Sequence, residues 1–300
     1  MIKIEHLTKR YGRHTAVDDL SFTASPGRIT AFLGPNGAGK TTTLQVLAGL
    51  QHADEGHTLI DDVPYRRMSR PLATVGVMLD AGALPKEQRP TDFLRWFALT
   101  NGIDASISSA LLEEVGLADA EHRKIGTFSL GMKQRMALAA ALLGDPGTLI
   151  MDEPANGLDP EGSRWLRQKV RHLADEGRTV LLSSHLLEEV SQIADDVVVI
   201  AAGRLLAETV PDTLIADVLG ERMYVRSGDD AHLARDLRAQ GYDVESDGDV
   251  LSVRTGQPDE VGVIAHRAGL VVYELGPRNG SLEDAFLAMT GPHQEERGDQ

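Results

Sequence analysis

The residues of "GPNGAGKTT" have the types and spacing to hold the phosphates of a nucleotide. Gly34–Thr41 fits G-x-x-x-x-G-K-[ST], with Pro35, Asn36, Gly37 and Ala38 between its fixed positions. Gly34, Gly37 and Gly39 let the backbone approach closely and aim N–H groups at phosphate oxygens. The helix predicted to begin near Gly39 adds the positive end of its dipole. Lys40 is then placed to reach the β- and γ-phosphates, Thr41 to ligate magnesium, and Thr42 to bond the α-phosphate. The combination predicts ATP with magnesium. A chance match is the bland alternative. Against it, the segment follows a predicted strand, "GRITAFLG", and opens a predicted helix, "KTTTLQVLAGL", the context the motif requires.

Two further clusters could share that chemistry. In "TLIMDEP" a buried strand ends on Asp152 and Glu153. Asp152 can hold the magnesium, directly or through water. Glu153 can polarise an attacking water. Alone the pair is an ordinary strand end; beside a phosphate loop it reads as catalytic. In "FSLGMKQR", Phe128–Arg135, a Ser and a Gly open a helix and make an anion site of hydroxyl, N–H groups and dipole. Taken alone, Ser129 reads as a plain N-cap of that helix.

The elements that must position these residues follow from apolar spacing. Residues 1–60 read as strands and turns. From Thr91 to Leu143 the pattern is helical, and the helix in "SLGMKQRMALAAALLGDP" is apolar almost all round, which predicts deep burial. Thr148–Asp152 and Thr179–Ser184 are apolar runs that fit parallel strands covered on both faces. "DDVVVIAAGRLLAETV" reads as a hairpin turning at Gly203. Composition shifts near residue 215, and 223–277 reads strand, helix, strand, strand, helix, strand, a ferredoxin-like order. "SLEDAFLAMTG" is a final helix, and 292–300 reads as a disordered tail. The predicted organisation is an α/β domain over 1–215, with a helical subdomain at about 84–143, and an α+β accessory domain over 216–291.

Composition narrows the partners. The 300 residues carry a formal net charge of −15, which argues against nucleic acid and against a basic membrane-surface helix. No apolar run reaches the roughly 18 residues that a membrane span needs. The N-terminus has no signal-peptide core, so a cytoplasmic location is expected. With no cysteine there is neither a disulfide framework nor a zinc–thiolate site.

Taken in order, these motifs resemble the ATP-binding subunit of an ABC transporter, over most of residues 1–215. The resemblance covers the phosphate loop, the signature Phe128–Met132, the strand Thr148–Asp152, Glu153, the "NGLD" of Asn156–Asp159, and His185 after "LLSS". It implies a P-loop NTPase of ABC type, a mixed sheet with a helical subdomain. Tyr11 would stack on adenine, His185 would contact the γ-phosphate and Asp159 would help assemble the opposite site; otherwise they are a surface Tyr, a helix cap and a turn Asp. The resemblance further implies a head-to-tail pair, with ATP between the loop of one copy and Ser129–Gly131 of the other. Glu153 would act as base, with Lys40 and His185 stabilising charge. A separate membrane permease would face Ala81–Phe97 and hold the chain at the inner face of the cell membrane. Trp96 and Phe97 belong either to that surface or to the helical core.

The departures are specific. The family signature is usually Leu-Ser-Gly-Gly-Gln; this chain keeps only Ser129 and Gly131 of it, with Leu130 in place of the first Gly. Where the family has a Gln, "VGVMLD" places Asp80, a shorter and charged candidate ligand for magnesium. Both features, with the extra C-terminal domain, look similar to antibiotic and peptide exporters. A soluble ABC-type ATPase acting on nucleic acid or ribosomes is the alternative, and the acidic charge speaks against it. A regulatory module that holds ATP without turnover is a third reading, which Glu153 and His185 oppose.

Overall fold

Ile2 and Ile4 point inward along β1 (Ile2–Tyr11) while Lys3 and Glu5 turn toward solvent, the alternation of a half-buried antiparallel strand, and a register shift beyond Ile4 turns Leu7 inward as well. In the computed structural model, which describes residues 1–255, 257–278 and 280–298, β1 pairs with β2 (His14–Ala24) through a turn at Gly12, φ 60°. Five buried residues form β3 (Ile29–Leu33), which leads through the glycine-rich loop into α1 (Lys40–Leu47). On its other edge β1 takes β4 (Glu55–Ile60), giving a three-stranded antiparallel sheet, β2-β1-β4.

The next segments supply a helical region and the rest of a second sheet. A short α2 (Pro71–Thr74) precedes β5 (Val75–Met78). Then come α3 (Pro90–Thr100), α4 (Ile107–Glu114) and α5 (Leu130–Leu142). The core strands β6 (Thr148–Asp152) and β7 (Thr179–Ser184) flank α6 (Pro160–Asp175). A short α7 (Leu187–Ser191) leads to β8 (Asp196–Ala201) and β9 (Arg204–Thr209). The six strands lie in the order β5-β6-β7-β3-β8-β9, parallel except for the β8–β9 hairpin. The apolar runs of β3, β6, β7 and β8 are buried on both faces, as expected for parallel strands.

One core joins the two sheets. Phe22, Leu7 and Leu20 from the small sheet meet Phe32, Ile150 and Val198 from the large one, with Leu44 and Leu47 of α1 among them. The Phe22 and Phe32 rings stand 5.1 Å apart. At the opposite end of β3, Asp195 accepts from the Ile29 N–H and from Arg171 Nη1, both at 2.8 Å. Burial works against this carboxylate, yet the Ile29 N–H and the Arg171 guanidinium hold it below the usual range.

The helical region behaves as its pattern predicts. The second half of α5 is buried almost throughout. In α3, Phe93 is buried and stacks on Phe97 at 5.7 Å, while Trp96 is 55% exposed. Trp96 is therefore surface and Phe97 half-buried.

The chain divides after Val210 into two units, earlier than the composition shift suggested. The reason is α8 (Pro211–Leu219), whose Leu214 is buried and which packs with the last helix of the second unit. That unit continues with β10 (Arg222–Ser227), α9 (Asp230–Ala239), β11 (Val244–Asp247), β12 (Val250–Arg254), α10 (Pro258–Arg267), β13 (Val272–Arg278) and α11 (Leu282–Gly298). Its antiparallel sheet has the order β11-β12-β10-β13, and Leu233, Leu237, Val261 and Ile264 of α9 and α10 cover one face. This is the strand–helix succession read from the sequence. The last helix runs on over 292–298, positions expected to form the tail, although Gly291 and Pro292 disfavour a helix there. Asp299 and Gln300 lie outside the described residues.

Candidate nucleotide site

Three neighbouring strands of the large sheet, β6, β7 and β3, deliver the site residues from their carboxyl ends, where open α/β sheets place ligands. The β3 end supplies the loop. Gly37 has φ 78° and Gly39 φ 105°, left-handed conformations that suit glycine. A Cβ on Gly39 would collide with the Ala16 carbonyl, and one on Gly34 would lie 2.6 Å from the Ile200 carbonyl. The backbone therefore sits as close to the neighbouring strands as the fold allows. An open cleft of about 780 Å³ lies over the loop, lined by Tyr11, His14, Ala16, Pro35–Gly37, Gly39–Thr42 and Glu153.

Lys40 is buried, and its Nζ donates to the Gly34 carbonyl at 2.5 Å and to the Pro35 carbonyl at 3.4 Å. Burial pushes its ammonium below the ordinary lysine value, against the pull of the Glu153 and Asp152 carboxylates. Thr41 Oγ1 donates to Asp152 Oδ2 at 2.7 Å, so loop and β6 meet side chain to side chain. Ala38 is buried beneath the loop, its carbonyl accepting from the Gly203 N–H at 3.0 Å.

Glu153 follows Asp152 with φ 49°, a left-handed conformation that is uncommon outside glycine and marks a sharp exit from the strand. Its backbone N–H donates to Ser183 Oγ at 3.0 Å, and Ser183 in turn donates to Asp152. Its Oε2 meets His185 Nδ1 at 2.6 Å and the His185 N–H at 3.2 Å. Asp152, Glu153 and His185 are thus bound into one network through Ser183. The sequence reading passed over Ser183, although "LLSS" contains it. It also passed over His14, brought beside Tyr11 by the hairpin register.

Tyr11 is 45% exposed, with Lys9 Nζ 5.4 Å from its ring centroid. The remaining expected residues are placed differently. Ser129 Oγ accepts the Met132 N–H at 3.2 Å and caps α5; Asp159 Oδ1 accepts the Gly162 N–H at 2.7 Å and caps α6. Neither residue, nor Gly131, lines the cleft. Asp80 is not brought to it either. Its Oδ1 accepts the Gly82 N–H at 2.6 Å and caps the short turn Ala81–Ala83, because so short a carboxylate is satisfied by its own backbone first. Asp80 instead borders an apolar groove with Leu50, Tyr65, Leu84, Phe93 and Phe97.

Comparison with known proteins decides what this arrangement belongs to. The family model described as ABC transporter matches residues 17–156. The ABC transporter ATP-binding protein YhcH of Bacillus subtilis is 34% identical over 302 residues, covering 99% of this chain and 98% of the relative. The chain belongs to the ABC transporter ATP-binding proteins. Within this family, a Nod factor export ATP-binding protein I from Burkholderia pseudomallei is 35% identical over 298 residues, 97% of each chain. The solved ATP-binding subunit of an ABC transporter superposes with TM-score 0.67 at 26% identity, over 73% of this chain and 94% of its own. A dimeric post-hydrolysis cassette bound to ADP and Pi shares the fold at 20% identity and TM-score 0.64, over 70% of this chain and 98% of its own. Residues 221–283 match a family model described only as a domain of unknown function. As an ABC cassette the chain binds nucleotide in an ATPase fold, and among its described residues no helix is long and apolar enough to cross a membrane.

Proposed function

We propose that this chain hydrolyses ATP to drive export of a drug, antibiotic or similar small molecule through a separate permease. The observation that carries the catalytic part is the network at the end of β6. There Thr41–Asp152 and Glu153–His185 lie side by side, linked by Ser183, next to the buried Lys40. Export is supported by relatives named for Nod factor export, which match nearly the whole chain.

In this reading the loop N–H groups and Lys40 receive the phosphates, Lys40 exchanging the Gly34 and Pro35 carbonyls for phosphate oxygens. Thr41 and Asp152 are hard oxygen donors already within hydrogen-bond distance, a donor set that suits magnesium. The pair would hold magnesium together with oxygens of the bound nucleotide. When bound, magnesium neutralises charge on the β- and γ-oxygens. Glu153 accepts the proton of the attacking water, and His185 orients that carboxylate and faces the γ-phosphate. Tyr11 stacks on the base.

Ser129, Gly131 and Asp159 complete the site from a second copy in a head-to-tail pair. Closure is favoured only while the γ-phosphate is present, since it alone has differential affinity for the closed state. The apolar groove beside Phe93 and Phe97, with exposed Trp96 nearby on α3, receives the permease. This places the chain at the cytoplasmic face of the membrane. Affinity capture of the full chain from detergent-solubilised membranes should recover a multispanning partner that raises its ATPase rate. Recovery without such a partner would remove the transport reading; recovery with nucleic acid would replace it.

A further inference from the structure

The two segments assigned above to the opposite site are fastened to each other within one chain. Gln134, one turn into α5 from Ser129, is buried, and its Nε2 donates to the Asn156 carbonyl at 3.2 Å. Its Oε1 is buried with no partner, so the side chain is kept inside at a cost and only the Asn156 bond offsets it. Leu130, standing where the family signature has glycine, lies over Gly157, and a Cβ on Gly157 would collide with the Leu130 side chain. Gly157 also has φ 74°, a conformation that suits glycine. Reciprocally, Leu158 Cδ2 would lie 3.2 Å from a Cβ on Gly131. The neighbour of Gln134, Arg135, stacks on Trp165 of α6 at 4.3 Å, securing the helix that Asp159 begins.

We propose that Gln134 is a positioning residue. With Leu130 seated over Gly157, it joins Ser129–Gly131 and Asn156–Asp159 into one preset block, the face that a second copy meets. The bulk of Leu130 is then no mere loss of a signature glycine; it is accommodated by the bare backbone of Gly157. Gln134 does not line the cleft over its own chain's phosphate loop, so its effect should fall on the partner's site. This rests on the head-to-tail reading above.

The test uses the full-length Glu153→Gln protein, which should pair in ATP, as parent. Adding Gln134→Leu removes the bond to Asn156 and also the unpartnered oxygen. ATP affinity of the single chain and its Tm should therefore hold. The ATP-driven pairing constant should fall about tenfold, the loss expected for one neutral hydrogen bond. Leu130→Ala should weaken pairing similarly, and the double variant should lose less than the product of the two, since both fasten one block. Unchanged pairing in Gln134→Leu would overturn the proposal. So would a matching loss of ATP affinity or Tm, which would make Gln134 a stability residue. If the parent itself fails to pair in ATP, the head-to-tail reading falls first and separately.

Discussion

The two halves of the site differ in how far one chain completes them. The phosphate-loop half is closed on itself: Lys40, Thr41, Asp152, Ser183, Glu153 and His185 are bonded to one another or to adjacent carbonyls. The half made by Ser129–Gly131 and Asn156–Asp159 is also fixed, through the Gln134 bond to the Asn156 carbonyl, but the Ser129 and Asp159 side chains cap their own helices and are exposed. In the head-to-tail reading proposed above, one half receives the ligand and the other is presented. That difference is what a site shared between two copies requires, and four changes probe it.

Glu153→Gln should have the largest effect. It should lower turnover by about a hundred- to ten-thousandfold while ATP binding and pairing persist. Phosphate release near the wild-type rate would take the base role from Glu153. Lys40→Ala strips the buried cation from the closed half. ATP affinity of the single chain should drop by about ten- to a hundredfold, the range for a charge-assisted bond, and an unchanged titration would sink the loop assignment. Ser129→Asp keeps a good helix cap but puts a carboxylate on the presented half. Stability and single-chain ATP affinity should hold while turnover falls; unaltered turnover would return Ser129 to a plain cap.

The smallest effect should lie away from both halves, at Asp195→Asn, costing about 2 kcal/mol through the bonds to Arg171 and the Ile29 N–H. The pH dependence has a definite sign. Because the folded value of Asp195 is depressed, its contribution is present above the unfolded value of about 3.9 and is lost as pH falls through the folded one. Acid unfolding monitored by circular dichroism should show wild type and variant converging at low pH. A constant gap would exclude the linkage.

Much of the closed half was legible because its parts are contiguous in sequence. Gly34–Thr42 and Asp152–Glu153 each carry their own strand context, and α5 announced its burial by being apolar all round. What stayed hidden was set by contacts across the chain or by local competition. Ser183 joins Asp152 to Glu153 only because β6 and β7 are register neighbours. Leu130 meets Gly157 only after the helical region docks. Asp80 read as a magnesium candidate by position, and the turn in which its Oδ1 accepts the Gly82 N–H two residues away was not foreseen. The first division of the chain was placed late because α8 has a helical pattern that either unit could own; its packing with α11 decided the matter.

The carbonyls that hold Lys40 also bear on the heat of binding. Nucleotide entering a loop whose cation is already tethered trades one set of polar bonds for another and orders little new chain. Association with a single chain should then show only a small negative heat-capacity change in calorimetry, from the base on Tyr11. Pairing, which in the head-to-tail reading buries Leu130, 47% exposed in the single chain, should carry a larger negative one. The two steps of one cycle would be separable by calorimetry at several temperatures, the first with an enthalpy that changes little and the second with one that changes steeply.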